Sequence, residues 1–143
     1  MQFIKDDTER ILAIDYGEKR IGIAITDPLK MFSIPLTTLN NNSNLWIDFE
    51  KIFNQYNIQK IAIGYPVNED GSKTKLTEEI EKFSRKLKSK FKKEITFIDE
   101  RYSSSIAWEH IKEGVISKKK RRNKALIDMN AAAVILEDFL KNN

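Results

Sequence analysis

The chain has 143 residues, a formal net charge of +4 and 41% hydrophobic residues, which suits one domain, residues 1–143, with a core that needs no covalent staple. It has no cysteine and one histidine, which excludes disulfides, thiolate metal sites and His-rich clusters. A bound metal would rest mainly on carboxylates, and that favours a hard cation such as Mg²⁺ or Mn²⁺.

The N-terminal MQFIKDDTER lacks an apolar signal core, and no segment approaches the ~18 apolar residues of a membrane span. The expectation is a soluble cytoplasmic protein with no membrane partner. From Arg10 the chain becomes structured. Ile11 to Asp15 is a nearly continuous apolar strand, as at the centre of a sheet. Tyr16-Gly17-Glu18-Lys19 is a turn, with Gly17 free to take positive φ. Ile21 to Thr26 alternates Ile21, Ile23 and Ile25 with Gly22 and Ala24, completing a hairpin that Asp27-Pro28 breaks. Met31 to Leu39 is a weaker strand whose Pro35 suits an edge.

The period then changes. Ser43 is a candidate N-cap for a helix marked by Leu45, Trp46, Phe49, Ile52, Phe53 and Tyr56. Ile58 to Gly64 is a buried strand, followed by a loop from Tyr65 to Ser72. Leu76, Ile80, Phe83, Leu87 and Phe91 form the apolar stripe of a polar helix. Glu94 to Asp99 is a fifth strand, also read as buried. Ser103, Ser104 or Ser105 caps a helix to about Glu113, with Gly114 ending it. Val115 to Lys124 is a basic loop, and a last helix runs from Leu126 to Lys141. The order β-β-β-α-β-α-β-α-α predicts an α/β fold. Its five-stranded mixed sheet has an antiparallel three-strand meander plus two parallel strands, flanked by helices.

Acids on three segments fall where a charge is costly. Asp15 ends the central strand, Asp99 and Glu100 end the fifth, and Asp128 sits in the first turn of an apolar helix. Ala131 and Ala132 let that helix approach the sheet, so three segments can converge carboxylates on one point. Such a cluster repels itself unless a proton or cation neutralises it. Two divalent ions held there can activate a water and stabilise a phosphodiester's leaving oxygen. Each acid also has a structural reading. Asp15 can cap a turn, Asp99 can pair with Arg101, and Asp128 can complement its helix dipole.

Whole motifs add to this. ILAIDYGEKRIGIAITDP (residues 11–28), IGYPVNEDGS (63–72), IDERYSSSIA (98–107) and KALIDMNAAAVILEDFL (124–140) stand in order and span nearly the chain. Together they resemble the YqgF family of pre-16S ribosomal RNA processing nucleases. Ser72 and Tyr102-Ser103 depart from the family's usual Thr and Leu-Thr and remove no proposed ligand. The resemblance implies a ribonuclease H-like fold related to RuvC-type Holliday junction resolvases. It also implies Asp15, Glu100 and Asp128 as catalytic metal ligands, with a two-metal Mg²⁺ or Mn²⁺ site. Between Asp99 and Glu100 the family pattern favours Glu100.

Lys19 and Arg20 at the hairpin tip, and Arg101 after the acids, are candidate phosphate contacts. Lys118, Lys119, Lys120, Arg121, Arg122 and Lys124 precede the helix of Asp128 and suit a loop that grips nucleic-acid backbone. The loop of Asn68, Asp70 and Gly71 reads as a tight turn before a helix. Ser103 to Ser105 and His110 have no evident catalytic partner. The expected partner is structured RNA, as pre-16S rRNA or a pre-ribosomal particle, with branched DNA or a non-catalytic binding module as alternatives. The expected state is a monomer or weak homodimer. An actin-like ATPase shares the opening hairpin, but 143 residues leave no second lobe to close over ATP.

Overall fold

The computed structural model describes residues 6–99 and 124–142. The elements are β1 (Asp6–Asp15), β2 (Arg20–Thr26), β3 (Ser33–Asn40), α1 (Leu45–Gln55), β4 (Tyr56–Tyr65), α2 (Lys75–Phe91), β5 (Glu94–Asp99) and, numbered here as α3, the helix Lys124–Lys141. The strands form one sheet in the order β3-β2-β1-β4-β5. β1 pairs antiparallel with β2, and β2 with β3, while β4 runs parallel to both β1 and β5. The predicted mixed sheet and its central first strand are therefore present.

Alternation along the strands assigns the helices to faces. Leu12 and Ile14 of β1, Ile21, Ile23 and Ile25 of β2, and Ile61 and Ile63 of β4 build a bulky face, covered by Phe49, Ile80, Phe83 and Leu87 of α1 and α2. An aromatic chain of Tyr16, Phe83, Trp46 and Phe49 packs there with centroids 4.9–5.8 Å apart. The other face is small. Ala13, Ala24 and Ala62 meet Ala132, Ala133, Ile135, Leu136 and Phe139 of α3. Short side chains on both sides let helix and sheet backbones come close, and β3 hydroxyls use that proximity. Ser33 Oγ donates to the Ala133 carbonyl at 2.9 Å and Thr38 Oγ1 to that of Ala125 at 2.5 Å.

Local chemistry sets the ends. Pro35 lies on edge strand β3, where the register slips between Ile23 and Ala24, so its missing N–H interrupts little. Asp27 closes the β2–β3 turn. Its carboxylate accepts the N–H groups of Leu29, Met31 and Phe32, and these bonds, that of Phe32 first, hold it below the usual carboxylate range. Thr74 and Thr77 form a reciprocal capping box at the start of α2.

Several expectations change. Tyr56 begins β4 rather than ending a helix, because its backbone is already extended. Asn44, not Ser43, is the N-cap of α1, and Asn42 Oδ1 accepts the Asn44 N–H. Gly17 does not have positive φ; a Cβ there would meet the Arg20 carbonyl oxygen at 2.5 Å, so space, not handedness, requires glycine. β5 is an edge strand and only half covered, with Phe97 43% exposed. The expected helix at Ser103 to Glu113 and most of the following basic loop lie outside the described residues. Among the described residues, no helix is long and apolar enough to cross a membrane.

Candidate active site

β1 brings Asp15 to the C-terminal end of the sheet's central strand, where it pairs with Gly22 of β2. Strand alternation turns Asp15 to the same face as Ala13, towards α3. Opposite stands Gly22. A Cβ built on it would fall 2.0 Å from the Asp128 carbonyl oxygen, so α3 rests directly on the backbone of β2 at Asp128. Two acids 113 positions apart in the sequence thus share one corner.

Their electrostatics follow from this placement. Burial pushes the Asp15 carboxyl up to about 7, and the negative charge of Asp128 pushes in the same direction. Asp15 keeps a solvent edge, yet the packed surroundings dominate. Asp128 takes an ion pair from the hairpin: Arg20 Nε donates to its Oδ2 at 2.9 Å, with both side chains only partly exposed. Arg20, read as a phosphate contact, is thus also the neighbour that holds Asp128. The guanidinium carries further N–H groups.

An open cleft of about 350 Å³ runs beside the pair, lined by Gly17, Glu18, Lys19, Arg20, Leu76 and Asp128. Lys19 is exposed on its wall, and Lys124 is exposed at the start of α3. Asp128 is not in the first turn of its helix; at least one turn from Lys124 precedes it. Its charge therefore lies beyond the reach of a simple dipole partnership. Asp99 ends β5 with its side chain exposed, level with Tyr65. The loop of Asn68, Asp70 and Gly71 is the tight turn expected. Gly71 donates to the Asn68 carbonyl at 2.8 Å, with φ 86, and Asp70 Oδ1 accepts from Ser72 at 2.8 Å. Glu100, Arg101, Lys118, Lys119, Lys120, Arg121 and Arg122 lie outside the described residues.

Among the described residues, no three acids or histidines converge; the corner holds the Asp15–Asp128 pair. Two oxygen donors of this kind fit a hard divalent cation, which takes one or two carboxylates and completes its shell with water and phosphate oxygens. The raised Asp15 carboxyl points the same way, because two crowded acids accept either a proton or a cation. Glu18 and Leu76 were not singled out by sequence as cleft residues. Glu18 reads as turn surface and Leu76 as helix core, and neither type signals a site. The signal for Gly22 was present in its alternation with three isoleucines.

The chain is similar to several known proteins. Residues 9–142 match the RuvX family, described as Holliday junction resolvase. A protein of Flavobacterium psychrophilum is 39% identical over 132 residues, covering 92% of this chain and 96% of its own. One of Porphyromonas gingivalis is 39% identical over 135 residues, covering 93% and 96%. Both are named "Putative pre-16S rRNA nuclease". In structure, the chain resembles Fowlpox virus resolvase, solved with Holliday junction DNA, at TM-score 0.57 and 12% identity, covering 93% of this chain and 97% of that one. It also resembles T. thermophilus RuvC with its junction substrate, at TM-score 0.56 and 9% identity, covering 94% and 96%. At such identities the likeness establishes the ribonuclease H-like fold.

Proposed function

This chain belongs to the RuvX family, and we propose that it is a metal-dependent nuclease that processes the 5′ end of pre-16S ribosomal RNA. The observation that carries the reading is the Asp15–Asp128 corner, where a charged-pair conflict is built into the end of the central strand beside a cleft lined by Lys19 and Arg20. The names of the relatives supply the RNA. The proposal takes residues 1–143 as one nuclease domain, acting in the cytoplasm as a monomer or weak homodimer.

Asp15, Asp128 and, from the sequence motif, Glu100 are the proposed ligands of Mg²⁺ or Mn²⁺. When bound, such ions supply charge that favours a hydroxide nucleophile and stabilises the leaving oxygen. The chain's own residues do the rest. Asp15 must give up its proton to act as a donor, so competence rises as pH passes about 7. Arg20 fixes the Asp128 carboxylate and lines the cleft beside it. Lys19, Arg101, Lys124 and the run from Lys118 to Arg122 are the proposed phosphate contacts. Hydrolysis adds water across one P–O bond, leaving a phosphate on one fragment and a hydroxyl on the other.

A second reading, resolution of branched DNA, is favoured by the junctions bound to both structural neighbours. One experiment separates the two. The purified chain is incubated with Mg²⁺ or Mn²⁺ and either a 5′-extended small-subunit rRNA precursor or a four-way DNA junction, with Asp15→Asn and EDTA controls. Metal-dependent cleavage of the RNA, lost in the variant, is the expected result. Cleavage of the junction alone transfers the function to DNA. Binding without cleavage of either leaves a non-catalytic module and sinks the nuclease reading.

A further inference from the structure

On the sheet face opposite α3, a second groove separates α2 from β5. Its volume is about 300 Å³, and Glu81, Ser84, Arg85, Lys88, Ile95 and Phe97 line it. Phe97 shares a strand face with Ile95, which packs against the core, yet the residue is 43% exposed. Its ring leans on Tyr65, with centroids 4.8 Å apart and planes tilted by 41°. An aromatic ring at an exposed sheet edge, braced from behind, is a stacking platform.

The basic run of α2 divides at this groove. Lys86 and Lys90 turn away and sit over the Trp46 ring at 5.2 and 5.6 Å. Arg85 and Lys88, three positions apart and so on one helix side, are exposed and line the groove. Glu81 is the one acid in the lining. It pairs with Lys73 at 2.9 Å and accepts the Tyr65 hydroxyl at 2.5 Å, so its charge is largely answered. Ser84 is buried, and its Oγ has no hydrogen-bond partner among the described residues. Buried hydroxyls nearly always have one, so Ser84 keeps an unspent donor and acceptor in the groove wall.

Helix α2 borders both this groove and the cleft of the candidate active site. Leu76, in the first turn of α2, lines the cleft beside Asp128, and Glu81, five residues on, lines the groove. That is roughly 7 Å along one helix. Tyr65 ends β4 at the same end of the sheet where Asp15 ends β1.

We infer that the α2–β5 groove holds an unpaired nucleotide of the substrate strand leaving the active site, with the base on Phe97 and phosphates on Arg85 and Lys88. Cations beside an aromatic face are what single-stranded nucleic acid requires, and the contact is tolerant of sequence because every base has a π-face. The inference rests on the nuclease reading for its direction along the strand. RNA and DNA share the recognised chemistry.

The test uses the full chain in EDTA, with hairpins carrying a short single-stranded overhang that contains 2-aminopurine, as RNA and as DNA, and matching blunt hairpins. Wild type should quench the overhang probe. Phe97→Leu, which keeps the apolar bulk and loses the ring, should abolish the quench and weaken overhang binding about tenfold, as expected for one lost stacking contact. Blunt-hairpin affinity and thermal midpoint should not change, and Phe97→Tyr should restore the quench. Arg85→Ala with Lys88→Ala should flatten the salt dependence by roughly 1.4 in log–log slope. Equal quench and affinity for wild type and Phe97→Leu on both overhangs would overturn the inference. Cleavage of blunt RNA hairpin in Mg²⁺, present in wild type and absent in Asp15→Asn, reads the nuclease activity separately. The groove can therefore fail while that activity stands, and the overhang effect can stand where no cleavage occurs.

Discussion

Gly22 of β2 lies against the backbone of Asp128 on α3, so close that a Cβ at residue 22 would sit 2.0 Å from the Asp128 carbonyl oxygen and 2.9 Å from the Met129 nitrogen. Gly22 is also the partner of Asp15 in the β1–β2 ladder. One missing side chain therefore sets the separation of the two acids.

Replacing Gly22 with Ala should force α3 away from the sheet. The obstruction is backbone, which cannot swing aside as a side-chain tip can. A destabilisation of about 1–3 kcal/mol is expected from overpacking, with weaker Mn²⁺ binding because Asp128 is displaced. Urea unfolding and Mn²⁺ titration check the two effects; a variant within 0.5 kcal/mol of wild type that binds Mn²⁺ normally would contradict the close contact.

Asp15 makes stability depend on pH in a definite direction. Its carboxyl is raised from 3.8 to about 7 in the folded chain. The folded state thus binds the proton more tightly than the unfolded state, and the contribution is fully present below about 3.8 and lost as pH rises through about 7. Without divalent metal, wild type should lose thermal stability between pH 5 and 8 at this site. Asp15→Asn should lose less and melt a few degrees higher at pH 8. Mg²⁺ or Mn²⁺ should restore wild type at pH 8 and not the variant. Thermal melts of both proteins across that range, with and without metal, decide the matter.

Arg20→Leu removes the cation bonded to Asp128. The unshielded carboxylate should push Asp15 further up, and the pH at which activity appears should move above that of wild type. Activity at neutral pH should fall at least tenfold. A pH profile superimposable on that of wild type would show that Arg20 does not govern the pair.

Thr74→Ala breaks the capping box at the head of α2. A loss of about 1 kcal/mol in urea unfolding is expected. Cleavage per folded molecule should be nearly unchanged, because Thr74 touches neither acid.

The succession of strands along the chain was readable because each strand announces itself by apolar runs and turn residues, as Ile11 to Asp15 and Glu94 to Asp99 do. Short-range competition was less readable. Tyr56 fits a helical stripe and an extended strand equally well, and only pairing with β1 decides for the strand. Asn42 and Asn44 outbid Ser43 at the head of α1 through a side-chain bond that composition does not specify. At the site, Asp15 was legible because an acid ending an apolar strand is costly. Its meeting with Asp128 was legible only through the small residues between them. The bond from Arg20 to Asp128 depends on the hairpin tip folding over α3, a relationship with no trace in local spacing.

The Asp15–Asp128 corner joins the first strand to the last helix of the described chain. During synthesis β1 emerges before α3. A growing chain can pair β1 with β2 and build much of the bulky sheet face while its second acid has yet to be made. The corner therefore closes only after α3 has been made and has packed on the backbone of β2 at Gly22.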